Sequence, residues 1–203
     1  MTVLNKERIL KVAVQQINLR GLRRLSLADL ARELGVVKSA LYHYFPGGKS
    51  DLIDSAFDSE EARLLTMLQQ AVAAANGTAA KLLTFMKTRH MFIKEIANLY
   101  QMKENVLNEI GGYGFARRQE YYKQEQAILE NLLREGIAAG EIREIDVEIA
   151  ACAIEGAMHQ ITHSYALTPA DSDVDIVKLT DMMLNGLAAR AAARPKAAKA
   201  LEL

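Results

Sequence analysis

Apolar residues recur at helical spacing along nearly the whole chain. Ile9, Ala13 and Ile17, with Leu10 and Val14 beside them, predict a helix over residues 5–20, and Gly21 falls at its expected C-cap. Leu27, Leu30, Ala31 and Leu34 stand at i, i+3, i+4 and i+7 and so line one face of a second, short helix. Ser26 is placed to cap that helix, and Gly35 stands where the backbone needs a left-handed residue to stop it. Val36, Leu41 and Phe45 can turn inward against it, which leaves Lys38, Ser39, Tyr42, His43 and Tyr44 on or near the opposite face of a third helix. Pro46-Gly47-Gly48 cannot continue a helix, and Lys49 opens a new one running to about Ala75. Its apolar face is Leu52, Ile53, Ala56, Phe57, Leu64, Leu65 and Leu68.

The same periodicity continues beyond the turn and cap at Asn76-Gly77-Thr78. A long helix is expected over 79–104, carrying Leu82, Met86, Ile93, Ile96 and Tyr100, before the chain breaks at Gly111-Gly112-Tyr113-Gly114. Another is expected from Phe115 to Ala139, striped by Tyr121, Ile128, Leu132 and Ile137 and ended by Gly140. Asp146 caps a helix to about Leu167 that bears Ala150, Ala151, Ile154, Ala157, Met158 and Ile161, and Thr168-Pro169 closes it. Asp173 caps the last, from Val174 to about Arg190, with Val177, Leu179, Met183, Gly186 and Leu187. The fold class is therefore all-α. The expected division is 1–52 as a helix-turn-helix unit, 53–194 as a larger helical domain and 195–203 as a disordered Ala/Lys-rich tail.

Composition narrows the class further. Half of the 203 residues are hydrophobic, enough for a packed core, and only three are proline. No apolar run approaches the ~18 residues of a membrane span, and the N-terminus lacks a signal-type hydrophobic core. The single cysteine, Cys152, lies in an apolar helical run. Together these lead to the expectation of a cytoplasmic protein without membrane contact. The net charge of zero hides an asymmetry: residues 1–52 hold nine basic and four acidic residues, leaving 16 and 21 for the remainder. A basic end on an acidic body implies polyanion contact at that end. Nucleophile-elbow, phosphate-loop, dinucleotide-binding and zinc-protease motifs are all missing, so no catalytic residue, cofactor or metal is expected.

A short helix presenting Lys38, Ser39, Tyr42 and His43 outward suits a DNA major groove. Lys38 can donate to guanine or to phosphate, Ser39 to either, and the tyrosine hydroxyls to phosphate. Lys49 stands at a helix N-terminus, where backbone N–H groups already favour an anion and a lysine is otherwise mildly unfavourable. Arg20, Arg23 and Arg24 surround the first turn, where they can meet phosphate or solvent.

The segment from about Arg8 to Phe57 resembles the DNA-binding domain of the TetR family of transcriptional regulators. The resemblance rests on Gly21, Leu25-Ser26-Leu27-Ala28-Asp29-Leu30-Ala31, Leu34-Gly35-Val36, Leu41-Tyr42-His43-Tyr44-Phe45, Lys49 and Leu52. It departs from the family pattern at Val37, where a small capping residue is usual, and in one extra residue between Phe45 and Lys49. The resemblance implies that Lys38, Ser39, Tyr42, His43 and Tyr44 serve a recognition helix and that Ser26 and Lys49 hold phosphates. It implies a ligand-responsive regulator, a repressor in sense, bound as a homodimer to a palindromic double-stranded DNA operator. The helices near 147–167 and 174–190, apolar and rich in small residues, would form the dimer interface.

For the ligand domain, polar and aromatic residues inside apolar helices mark candidates: Met86, Arg89, Tyr100, Arg117, Tyr121, Met158 and His159. A cavity of that composition suits a small amphipathic or hydrophobic effector. His159 and His163 share the i, i+4 spacing of metal ligands, but no third ligand completes a site, so none is assigned. The alternative function is an all-α small-molecule binding protein without operator binding.

Overall fold

The computed structural model describes residues 4–99, 109, 119–165 and 172–187. Among them are eight helices, here α1 (Lys6–Arg20), α2 (Leu27–Leu34), α3 (Lys38–Tyr44), α4 (Lys49–Ala74), α5 (Thr78–Leu99), α6 (Gln119–Ala138), α7 (Val147–Tyr165) and α8 (Ser172–Leu187). No strand occurs among the described residues. Tyr100, Arg117, the Gly111–Gly114 break, Thr168-Pro169 and the 195–203 tail lie outside them.

Local chemistry sets the first boundaries. The Asn5 side chain accepts from Arg8 N–H at 2.8 Å and starts α1. Ser26 does the same for α2 through Asp29 N–H at 3.4 Å, and Gly35 ends α2 in the left-handed region at φ 71°. Val37 begins α3 without any side-chain cap. Just before Lys49, Gly48 takes φ 71° and ψ −133°, where a Cβ is strained.

The buried side chains form two clusters. One gathers Ile9, Ala13, Ile17, Leu30, Leu34, Leu41, Phe45, Leu52 and Phe57 from α1–α4. The other gathers Leu64, Leu68, Leu82, Phe85, Met86, Leu129, Leu133, Ile154, Met158 and Ile176 from α4–α8. Helix α4 contributes to both, through Leu52–Phe57 at one end and Leu64–Leu68 at the other. Helix α5 packs against α4, α6, α7 and α8, so its side chains occupy the centre of the larger bundle.

The start of α5 is held from a distance. Glu141, just after α6, accepts from Thr78 N–H at 2.7 Å, and that bond holds its carboxyl below the ordinary range. Gly136 lets α6 pass Thr78: a Cβ there would lie 2.5 Å from Thr78 Oγ1 and 2.9 Å from Ile142 Cδ1. The Asp146 side chain caps α7 by accepting from Ile149 N–H at 3.0 Å, as its position predicts. The stripe expected on α8 holds at Leu179 and Met183 and departs at Val177. Ile176, Leu179 and Thr180 are buried and Val177 is exposed, because α8 turns that face toward α5.

Candidate nucleic-acid interface and effector site

Helix α3 has one buried side chain, Leu41, and Phe45 at its C-cap is buried as well. Lys38, Ser39, Tyr42 and His43 are exposed on its other side, as the spacing predicts. Lys38 Nζ lies 5.7 Å from the centroid of the Tyr42 ring, which is 43% exposed. A cation over a ring face orders both side chains and leaves the ammonium hydrogens and the tyrosine hydroxyl available to base edges and phosphates. Tyr44 differs. It is half-buried against the first cluster, its hydroxyl donates to Leu4 C=O at 2.9 Å, and His43 stacks on its edge. Its proton is thus spent inside the fold, tying the segment before α1 to α3.

Lys49 is the first residue of α4, and its Nζ donates to Arg23 C=O at 2.9 Å, across to the α1–α2 connection. An ammonium has three donors, so this bond aims the charge while two N–H groups remain for phosphate. Arg23 N–H in turn donates to Glu109 Oε1 at 2.9 Å, with the Arg23 guanidinium 3.8 Å from the same oxygen. Ser26 uses its hydroxyl as the α2 cap, half-buried at the same end. Arg20, Arg23 and Arg24 are all exposed around this turn.

The larger bundle encloses charge. Arg89 on α5 is 8% exposed and Glu125 on α6 is 0% exposed, and the Arg89 Nε donates to Glu125 Oε1 at 2.5 Å. Burial opposes the Arg89 charge, yet Glu125, with Tyr121 and Tyr122 beside it, outweighs that and holds the guanidinium above its ordinary pKa. Glu155 on α7 is half-buried nearby. Desolvation and the Glu125 charge push its carboxyl up to about 7, against an opposing pull from Arg89, and Glu130 adds to the rise. Met86, Tyr121 and Met158, all buried, belong to the same core.

The model of "Bacterial regulatory proteins, tetR family" matches residues 9–56, from within α1 to within α4. Over most of its length the chain is similar to the "Fatty acid metabolism regulator protein" of Bacillus subtilis, 25% identical over 180 residues that cover 87% of this chain and 90% of that one. Residues 9–56 are a tetR-family domain. The fold of the chain is similar to that of the FadR regulator of Bacillus subtilis in complex with stearoyl-CoA, at TM-score 0.70 and 20% identity over 90% of this chain and 100% of that one. It is likewise similar to the TetR family regulator PfmR of Thermus thermophilus, at TM-score 0.65 and 23% identity over 88% of this chain and 97% of that one. With its tetR-family domain the chain is a DNA-binding transcriptional regulator.

The sequence-predicted residues separate. Lys38, Ser39, Tyr42 and His43 share the exposed side of α3, while Ser26 and Lys49 stand at the neighbouring helix starts. Met86, Arg89, Tyr121 and Met158 come together in the core. His159 does not: it is exposed on α7, a helical step away from buried Met158. Tyr100 and Arg117 lie outside the described residues. Sequence reasoning did not single out Glu125 and Glu155, which the fold brings beside Arg89. The signal for Glu125 was its place four residues from both Tyr121 and Leu129, which are buried. Its many charged neighbours on α6 hid it.

Proposed function

We propose that this chain is a cytoplasmic homodimeric repressor of the tetR family, without catalytic activity, that binds a palindromic operator and is released by a small amphipathic or hydrophobic effector. Residues 1–52 read DNA and residues 53–194 bind effector and dimerise. The observation that carries the reading is α3, a helix anchored by Leu41 with Lys38, Ser39, Tyr42 and His43 exposed together. Two copies about 34 Å apart would enter successive major grooves.

The dimer is supported by α7 and α8, which pack on each other and carry Ile149, Val177 and Met182, three of the seven large apolar side chains exposed on the described surface. Cys152, Ala153, Gly156 and Gly186, also exposed on these helices, are small enough for close approach of a second copy. Ile149→Glu with Met182→Glu is expected to give monomers in analytical ultracentrifugation; an unchanged dimer would remove this face. The effector class is supported by the apolar core around Met86 and Met158 and by the stearoyl-CoA held in the similar Bacillus subtilis FadR structure. An effector must bind the DNA-incompetent state about 5.5 kcal/mol more tightly to carry the switch from 1:99 to 99:1. No helix among the described residues is long and apolar enough to cross a membrane.

The test is selection of bound duplexes from a random pool at physiological salt. An enriched palindrome bound by two protomers is the expected result. A stable dimer that enriches nothing would favour a small-molecule binding protein instead.

A further inference from the structure

We propose that the effector's buried end carries a hydrogen-bond-donating head group, a hydroxyl or an ammonium, received by Glu125 and Glu155, and that a carboxylate head is excluded. The inference rests on the reading that the C-terminal helices hold an effector and adds the chemistry of its head.

The polar inventory between α5, α6 and α7 is unbalanced. Glu125 is fully buried, and Arg89 Nε occupies only its Oε1. Glu125 Oε2 and Glu155 Oε1 are buried with no hydrogen-bond partner among the described residues. Two carboxylates thus share one guanidinium, whose Nε is the donor placed on Glu125. Each buried acceptor left unmade costs about 1–3 kcal/mol. A core built only for packing would be better served by an apolar residue at position 155, since an ion pair needs one carboxylate and not two. When Glu155 is ionised both unfilled oxygens are acceptors, and what completes them then must donate. A ligand carboxylate would bring a third negative group and no donor.

The surroundings suit the rest of such a ligand. Met86 stands one helical turn from Arg89, Tyr121 and Leu129 one turn to either side of Glu125, and Met158 one turn from Glu155. All four are buried, so the acceptors are set among apolar and aromatic side chains. The groups that act on Glu155 come from two of the helices packed against α7: Arg89 from α5, and Glu125 and Glu130 from α6. With its pKa near 7, Glu155 carries a proton about half the time at neutral pH. A cation placed beside it would drive that proton off.

The test uses the full-length protein with decylamine, decanol and decanoate, three probes of equal chain length. Binding is followed by calorimetry at pH 7 in two buffers of different ionisation enthalpy, and operator release by fluorescence anisotropy. Decylamine and decanol are expected to bind at least about tenfold more tightly than decanoate, with proton release accompanying the amine. The order of amine and alcohol says which donor the site prefers. Glu155→Gln should abolish the proton release and weaken amine binding by about tenfold; Glu155→Met serves the same comparison if the first variant does not fold. Decanoate binding as tightly as decylamine, or an unchanged ranking and proton count in the Glu155 variants, overturns the inference. If decanoate binds and releases operator, the effector reading stands and only the head-group inference fails. If no probe binds a protein that still holds operator, both fail.

Discussion

Replacing Lys49 with alanine separates two roles that the structure superimposes on one ammonium. Its Nζ donates to Arg23 C=O at 2.9 Å, and the same charge stands at the first residue of a 26-residue helix. The carbonyl bond is exposed, so its loss costs about 0.5–1.5 kcal/mol of stability. Removing a cation from a helix N-terminus returns about 0.3–1 kcal/mol. The net effect on folding is therefore small. The effect on DNA is of another kind. One lost phosphate contact lowers the slope of log K against log salt by about 0.9, or about 1.8 for a dimer in which both copies engage. The assay is fluorescence anisotropy on a mixed-sequence duplex and on an operator over a series of salt concentrations, with a thermal melt of the free protein alongside. Both duplexes should lose affinity together and both slopes should fall. Affinity lost on both duplexes with unchanged slopes, or affinity on the mixed-sequence duplex left intact, would show that Lys49 only braces the α1–α2 turn.

Tyr42→Ala should lose about 1–3 kcal/mol of operator binding while sedimentation still reports a dimer; a destabilised or monomeric product would make the ring a packing element instead. Gly136→Ala should destabilise by about 1–3 kcal/mol in urea melts, because the 2.5 Å approach to Thr78 Oγ1 outweighs the gain of up to about 1 kcal/mol from helix propensity. Glu155 has a folded pKa near 7, above its unfolded value, so its contribution to stability is complete below about pH 4.5 and lost as pH rises through 7. Glu155→Gln should therefore be more stable than the parent at pH 8, by about 1–2 kcal/mol after allowance for the water that reaches this half-buried group, and the two should converge below about pH 4.5. Parallel pH profiles for the two proteins would show that Glu155 is an ordinary solvated carboxylate.

Periodicity and cap chemistry determined the N-terminal quarter of this protein almost completely. Ser26, Gly35, Leu41 and Phe45 each act through neighbours a few residues away, so a linear pattern contains their whole environment, and the exposed side of α3 follows from what Leu41 buries. Asp146 is legible for the same reason. Tertiary structure alone decided the groups whose partners are distant in the chain. Tyr44 looks like a DNA-facing residue until the segment before α1 supplies Leu4 C=O, 40 positions away, and Lys49 looks unengaged until Arg23 is folded against it. Val177 and Ile176 are equally apolar, and only the packing of α8 on α5 selects Ile176 for burial. Glu125 was one charge among many on α6 until α5 placed Arg89 beside it. A buried charge is stabilised by a partner at hydrogen-bond distance, and the sequence specifies that distance only for residues within a few turns of one another.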